Sequence, residues 1–216
     1  MSAMFKSAWF WLVVNLLGIS LLTAVGPAER SLGTNVRVVY LHGVWVWAAM
    51  AGFLAAGLTG LIGLISRHSI LQRWSRALGR TGLLFWITYL PISLWAMQTN
   101  WNGMFLAEPR FRVAVVFAIG GLLLQLGVTI AEDPAWASLA NILYIAALLW
   151  VLRTTPNVMH PSSPIFSSDS WRIQVYFLGL LALVLLFVAQ VAYLLYKVDT
   201  SNRQQVKALE IGKSES

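Results

Sequence analysis

Long, nearly unbroken apolar stretches separated by short polar ones set the pattern of this chain. Six of them, at 8–26, 38–65, 81–97, 111–131, 135–152 and 173–196, each approach the 20 or so mostly apolar residues that a helix needs to cross a bilayer core. None shows the ten-residue alternation of a transmembrane β-barrel strand, and a helix is the only other way to pair every backbone polar group in hydrocarbon. The pattern therefore predicts an all-α integral membrane protein, a six-transmembrane-helix bundle within residues 1–197, followed by a polar, basic tail at 198–216.

Composition supports the same class. Of 216 residues, 58% are hydrophobic and 11% charged, where a soluble domain carries about 25% charge; the mean hydropathy is +0.71. The first stretch has a signal-peptide look, with Lys6 ahead of an apolar run and small residues near Ala24 to Ala28. Its run is longer than a signal core of about 7–15 residues, which favours a retained helix. There is no cysteine, which excludes disulfides, thiolate metal sites, iron–sulfur clusters and covalent haem attachment on this chain.

The formal charge of +7 points to lipid rather than to nucleic acid. With six spans, one side holds Lys6, Arg67, Arg73, Arg76, Arg80, Lys197, Arg203, Lys207 and Lys213. The other holds Arg30, Arg37, Arg110, Arg112, Arg153 and Arg172, a bias of nine to six. The positive-inside rule then places both termini, and a basic loop with four arginines after the second helix, in the cytoplasm. The remaining loops, about 27–37, 98–110 and 153–172, face outward.

Those outer loops hold most of the candidate chemistry. His42 lies inside an apolar helix, where an ionisable group costs a few kcal/mol, while His160 lies in the third outer loop and His68 in the basic inner one. Taken alone, His42 is as readily a histidine bonded to a neighbouring carbonyl, and His160 a solvated loop residue. As a pair they suit haem iron, and imidazole also suits zinc or copper. Zinc would want a third or fourth ligand, and Glu29, Glu108 and Asp169 have no helical spacing to either histidine. The chain has 11 tryptophans. Most fit the interfacial belt of any helical membrane protein; Trp45, Trp47, Trp95 and Trp101 lie where they could also wall a planar ligand.

Three segments carry a resemblance. Arg37-Val-Val-Tyr40-Leu-His42, with Trp45 following, resembles the R-x-x-Y-x-H segment opening the second helix of CcmC-type haem-handling proteins of the cytochrome c assembly (WWD-domain) family. Trp101-Asn-Gly-Met-Phe105-Leu-Ala107-Glu108-Pro-Arg110 lies without gaps on that family's W-G-x-x-W-x-W-D-x-R motif, with Ala107 in place of a tryptophan and Asn102 in place of a glycine. Asn157-Val-Met-His160-Pro-Ser-Ser resembles its N-T-L-H-Q-x-S stretch, with Thr155-Pro156 where a tryptophan pair normally stands.

The resemblance implies a protein that is no enzyme but holds non-covalent haem b at the outer face of the cytoplasmic (inner) membrane. His42 and His160 would be the axial ligands, and Trp101 and Phe105 would pack on the ring beside Trp45. Glu108 and Arg110 stand for the motif's acid and arginine; Arg110 or Arg37 suits a haem propionate, because guanidinium pairs with carboxylate. The implied partners are a periplasmic haem chaperone and the subunits of an ABC-type haem exporter. The loss of an aromatic at Ala107 removes a stacking contact of order 1 kcal/mol. Two other readings compete: a single-haem, b-type electron-transfer subunit, and a haem-free structural or assembly subunit of a membrane complex.

Overall fold

The structure is a computed structural model that describes residues 7–159 and 165–214, with side chains described through Ser201. It consists of six helices: α1 (Ala8–Ala24), α2 (Val36–Ile65), α3 (Ser69–Trp101), α4 (Pro109–Ile130), α5 (Pro134–Thr154) and α6 (Trp171–Ser214). Among the described residues there is no strand beyond an isolated Glu29–Gly33 backbone bridge. Four of the helices, α2, α4, α5 and α6 as far as Ser201, are long and apolar enough to cross a membrane. The chain is a helical, multi-pass membrane protein.

Successive helices run antiparallel, so the connections fall at two ends of unlike character. At the turn end, α2 passes to α3 through 66–68 and α4 to α5 through 131–133. At the loop end, the connections 25–35, 102–108 and 155–170 are longer. The tight turns have a specific local cause. Past the end of α2, Arg67 takes a left-handed backbone (φ 52°), and the His68 and Arg67 N–H groups return to the Gly63 and Leu64 carbonyls at 3.0 and 3.3 Å. This closes the helix with a Schellman pair. Glu132 (φ 56°) ends α4 in the same left-handed region, its N–H returning to the Thr129 carbonyl at 3.3 Å. Asp133 then caps α5, accepting from the Ala135 N–H at 2.8 Å, with Pro134 in the first position, where no N–H is needed.

Lipid tails are as apolar as leucine, so helices in a membrane associate through close packing and hydrogen bonds. Helix α2 supplies the packing. It touches α1, α3, α5 and α6, and presents a buried small-residue face of Ala48, Ala49, Gly52, Ala56, Gly60 and Gly63. At the crossing with α3, a Cβ on Gly52 would stand 3.1 Å from the Gly82 Cα. Gly52→Val is therefore expected to push the helices apart and cost about 1–3 kcal/mol, read as a lowered thermal midpoint in detergent. An unchanged midpoint would remove this crossing from the account of the fold.

Hydrogen bonds supply the rest. Toward the turn end, Asn141 of α5 donates to the Ser75 carbonyl (2.8 Å) and Oγ (3.1 Å). Its Oδ1 accepts from Gln125 of α4 at 3.0 Å, and the Ser75 hydroxyl donates to the Ala56 carbonyl at 2.8 Å. Four helices meet at this node. Helix α1 is held against α6, where Asn15 donates to Gln190 Oε1 at 3.1 Å and to the Leu183 carbonyl at 3.3 Å.

Two helix boundaries differ from those the hydropathy predicts. Helix α3 starts at Ser69, not near 81, so Arg73, Arg76 and Arg80 ride on helix rather than in a loop. Helix α6 continues to Ser214 through the stretch expected to be a polar tail. The physical reason is common to both: apolar content marks where a helix enters hydrocarbon, whereas Arg, Lys, Gln, Ala and Leu continue a helix in water just as well.

Candidate functional site

The loop end is assembled from the beginnings of α2 and α4 and the ends of α3 and α5. Asn35 and Asn100 tie α2 to α3. The Asn35 side chain donates to the Thr99 carbonyl at 3.1 Å, and that of Asn100 to the Asn35 carbonyl at 3.4 Å. About two turns into α2, His42 is half-buried. Its ring lies against Tyr89 of α3, with centroids 5.5 Å apart. Tyr89 is itself buried, edge-on to Trp86 at 5.1 Å. The segment between α3 and α4 lies at the same end.

That segment is shaped by its own sequence. Trp101 ends α3, and Asn102, in the left-handed region at φ 54°, stops the helix. A compact turn follows, in which the Leu106 and Glu108 N–H groups return to the Met104 and Phe105 carbonyls, each at 3.0 Å. Glu108 then begins α4: its carboxylate accepts from the Phe111 N–H at 2.6 Å, and Pro109 takes the first helical position. Glu108 is only 9% exposed, whereas Trp101 and Phe105 are 36% and 42% exposed. A cleft of about 550 Å³ opens here, lined by residues 104–109 and by Val158 and Met159.

Arg110 binds the third loop to the same place. Its Nη2 donates to the Leu152 and Thr155 carbonyls, both at 3.3 Å, which satisfies orphan acceptors at the end of α5. Its Nε is shielded from solvent without a protein acceptor. The chain is similar to a protein named as a putative ccmC-like protein of cytochrome c biosynthesis. At 23% identity over 112 residues, which is 51% of this chain and 48% of the other, it matches a ccmC-like mitochondrial protein of cytochrome c biosynthesis from Marchantia polymorpha. The chain thus spans about half the length of the curated relative it matches. No protein-family model matches it. Nor does any solved structure.

Of the residues the resemblance singles out, Phe105 and Glu108 line the cleft, Arg110 stands beside it in the first turn of α4, and His42, against Tyr89 of α3, is not among the lining residues. His160 lies outside the described residues; its neighbours Val158 and Met159 line the cleft. Two residues expected beside the ligand stand elsewhere. Trp45 is in the core, its indole donating to Thr88 Oγ1 at 2.9 Å and its ring packed on Phe85 at 5.1 Å. Arg37 donates from Nε to the Gly26 carbonyl at 2.8 Å and so fastens the α1–α2 loop. Trp86, expected at the interface, is also core, its indole N–H bonded to the Ala114 carbonyl at 3.0 Å.

Glu29 is taken up by its own loop. The Ser31 hydroxyl, then the Leu32 and Ser31 N–H groups, hold its carboxyl below the usual carboxylate range. Among the described residues no three His, Asp or Glu side chains converge as a metal site. Tyr89, Met104 and Met159 were missed from the sequence. A tyrosine within an apolar helix carries no mark of function, and the methionines look like ordinary apolar loop residues.

Proposed function

We propose that this protein binds haem and serves cytochrome c biogenesis, holding the haem at the loop end between His42 and His160 and passing it to a haem chaperone. One observation carries the reading: the segment from Met104 to Pro109 and the loop that leads to His160, through Val158 and Met159, line one cleft, beside which Arg110 stands in the first turn of α4 with a buried Nε that has no protein acceptor. The similarity to a ccmC-like protein of cytochrome c biosynthesis supports it. The residues fit the group. Imidazole supplies an iron ligand, Phe105 an aromatic face, and the Arg110 guanidinium a donor for a propionate. The chain's own work is to bind, orient and release; the iron and porphyrin supply the redox-active centre that the cytochrome will use.

In this reading both termini and the turn end face the cytoplasm, the loop end faces the periplasm, and ABC-type exporter subunits are the membrane partners. Because the chain has no cysteine, single-cysteine variants give a clean test of sidedness. Thr34→Cys, exposed at the loop end, is expected to react with an impermeant maleimide in intact cells, and Ser66→Cys, exposed at the turn end, only after lysis. The reverse pattern would invert the orientation.

Purified chain titrated with haem in detergent is expected to give a six-coordinate, low-spin Soret spectrum, and a periplasmic haem chaperone to draw that haem away. A chain that stays colourless would sink the proposal. It would favour a haem-free assembly subunit, which is consistent with the packing roles of Trp45 and Arg37 and the capping role of Glu108.

A further inference from the structure

The side chains that line the cleft at the loop end are apolar but for one carboxylate, and two of them are thioethers. Met104 comes from the connection between α3 and α4 and Met159 from that between α5 and α6, beside Phe105, Leu106 and Val158. The one acid, Glu108, is occupied as the cap of α4, accepting from the Phe111 N–H at 2.6 Å. A bound molecule therefore meets a mainly apolar surface. Of the apolar side chains in it, the methionines are the ones a mild oxidant converts to polar groups.

The six methionines of the chain differ sharply in exposure. Met1 and Met4 lie outside the described residues. Met97 is 7% exposed within α3, and Met50 packs against the core from the middle of α2. Met104, by contrast, is 61% exposed, and Met159 is half-buried. The backbone fixes Met104 in place: Asn102 stops α3 in the left-handed region at φ 54°, and the Met104 carbonyl accepts from the Leu106 N–H at 3.0 Å in the turn that follows. Oxidation follows access, so among the described residues the thioethers most open to a water-borne oxidant are the two in the cleft.

We propose that Met104 and Met159 form a site of reversible methionine oxidation that loosens the hold of the cleft on an apolar ligand. The oxidant is hydrogen peroxide. The thioether sulfur attacks one peroxide oxygen, an S–O bond forms as the O–O bond breaks, and the other oxygen leaves as water with both protons. The sulfur is oxidised by two electrons and the peroxide is reduced by two. The resulting sulfoxide oxygen wants a hydrogen-bond donor, and no lining side chain supplies one. Holding an unpartnered polar oxygen against an apolar ligand is costly, so the oxidised cleft binds such a ligand less tightly. Methionine sulfoxide reductases return the thioether and with it the binding. The effect on the ligand rests on the haem reading above, whereas the reactivity of the two sulfurs does not.

The test takes the full chain in nanodiscs through a short hydrogen peroxide treatment, ended with catalase, and reads each methionine by peptide mass spectrometry before haem is titrated in. Met104 is expected to gain oxygen first and Met159 next, with Met50 and Met97 still thioethers when both are converted. The treated protein is expected to bind haem roughly tenfold more weakly, the scale of one buried polar group left unpartnered. Sulfoxide reductases acting on both epimers should restore the untreated affinity. The double variant Met104→Leu with Met159→Leu, whatever its starting affinity, should show the same value before and after peroxide. Met104→Leu alone, kept in case the double variant does not fold, should lose part of the sensitivity. Oxidation of Met97 as fast as Met104, an unchanged haem affinity in the oxidised wild type, or an equal loss in the double variant would overturn the site. A chain that takes up no haem before treatment would remove the haem reading and the ligand effect together, and the peptide map would still decide whether these two sulfurs are the reactive ones.

Discussion

His42→Ala is expected to abolish six-coordinate, low-spin haem binding while leaving the bundle folded. The side chain is half-buried at the loop end, and its mapped ring contact is with Tyr89, so truncation would remove the proposed iron ligand without opening a large cavity in the core. Loss of an outer-shell partner typically costs 10–100-fold in metal affinity; loss of the ligand itself should exceed roughly 100-fold. Tyr89→Phe, which keeps the ring and removes the hydroxyl, should cost about tenfold at most. Imidazole added to the His42→Ala protein should restore a six-coordinate spectrum if the histidine acts as a ligand, and should do nothing if it only packs. His160→Ala should show the same loss and the same rescue. A His42→Ala protein with the wild-type Soret band would refute the axial assignment.

Asp199→Ala should be the most destabilising single change at the turn end. It leaves Arg76, almost fully buried, beside Arg80 with their shared carboxylate gone. Breaking a buried ion pair from one side typically costs 3–5 kcal/mol. The lower end, about 3 kcal/mol, applies here, because Arg80 remains 28% exposed and water can reach part of the cluster. The control is the pair Arg76→Met with Asp199→Leu, which removes both charges and keeps the volume. It is expected to recover most of the loss, since hydrophobic replacements of a buried pair are often neutral. If the double variant is as unstable as Asp199→Ala, the pair acts through packing rather than charge.

How much of this could be read from the sequence depends on the signal each feature leaves. A helix in hydrocarbon announces itself by length and apolarity, so six helices and their antiparallel order were legible. So was the tight Glu132-Asp133-Pro134 turn between α4 and α5. The true start of α3 was not, because a hydropathy reading drops out where Arg73, Arg76 and Arg80 begin; their helical spacing was the available clue. Trp45 and Trp86 were misplaced because both faces of a membrane helix are apolar, and only the neighbouring helices decide which tryptophan meets lipid and which meets core. At the site, Glu108 was legible as an acid in a motif. Its capping of α4 was readable too, since an acid followed by proline is a helix-start signal. The cleft came from the meeting of residues 104–109 with Val158 and Met159, a contact between distant segments that no local pattern encodes.

The hydrogen bond from Asn15 to Gln190 joins the first helix to the last, across 175 positions of chain. Synthesis proceeds at about 5–20 residues per second, so the α1 amide sits in the membrane for roughly ten to thirty seconds before its α6 partner has been made. A polar group in hydrocarbon must find a partner meanwhile or bear the cost of having none. The α1–α6 contact therefore waits for α6, and a ribosome that stalls before it leaves behind a chain whose first helix still has hydrogen bonds to give.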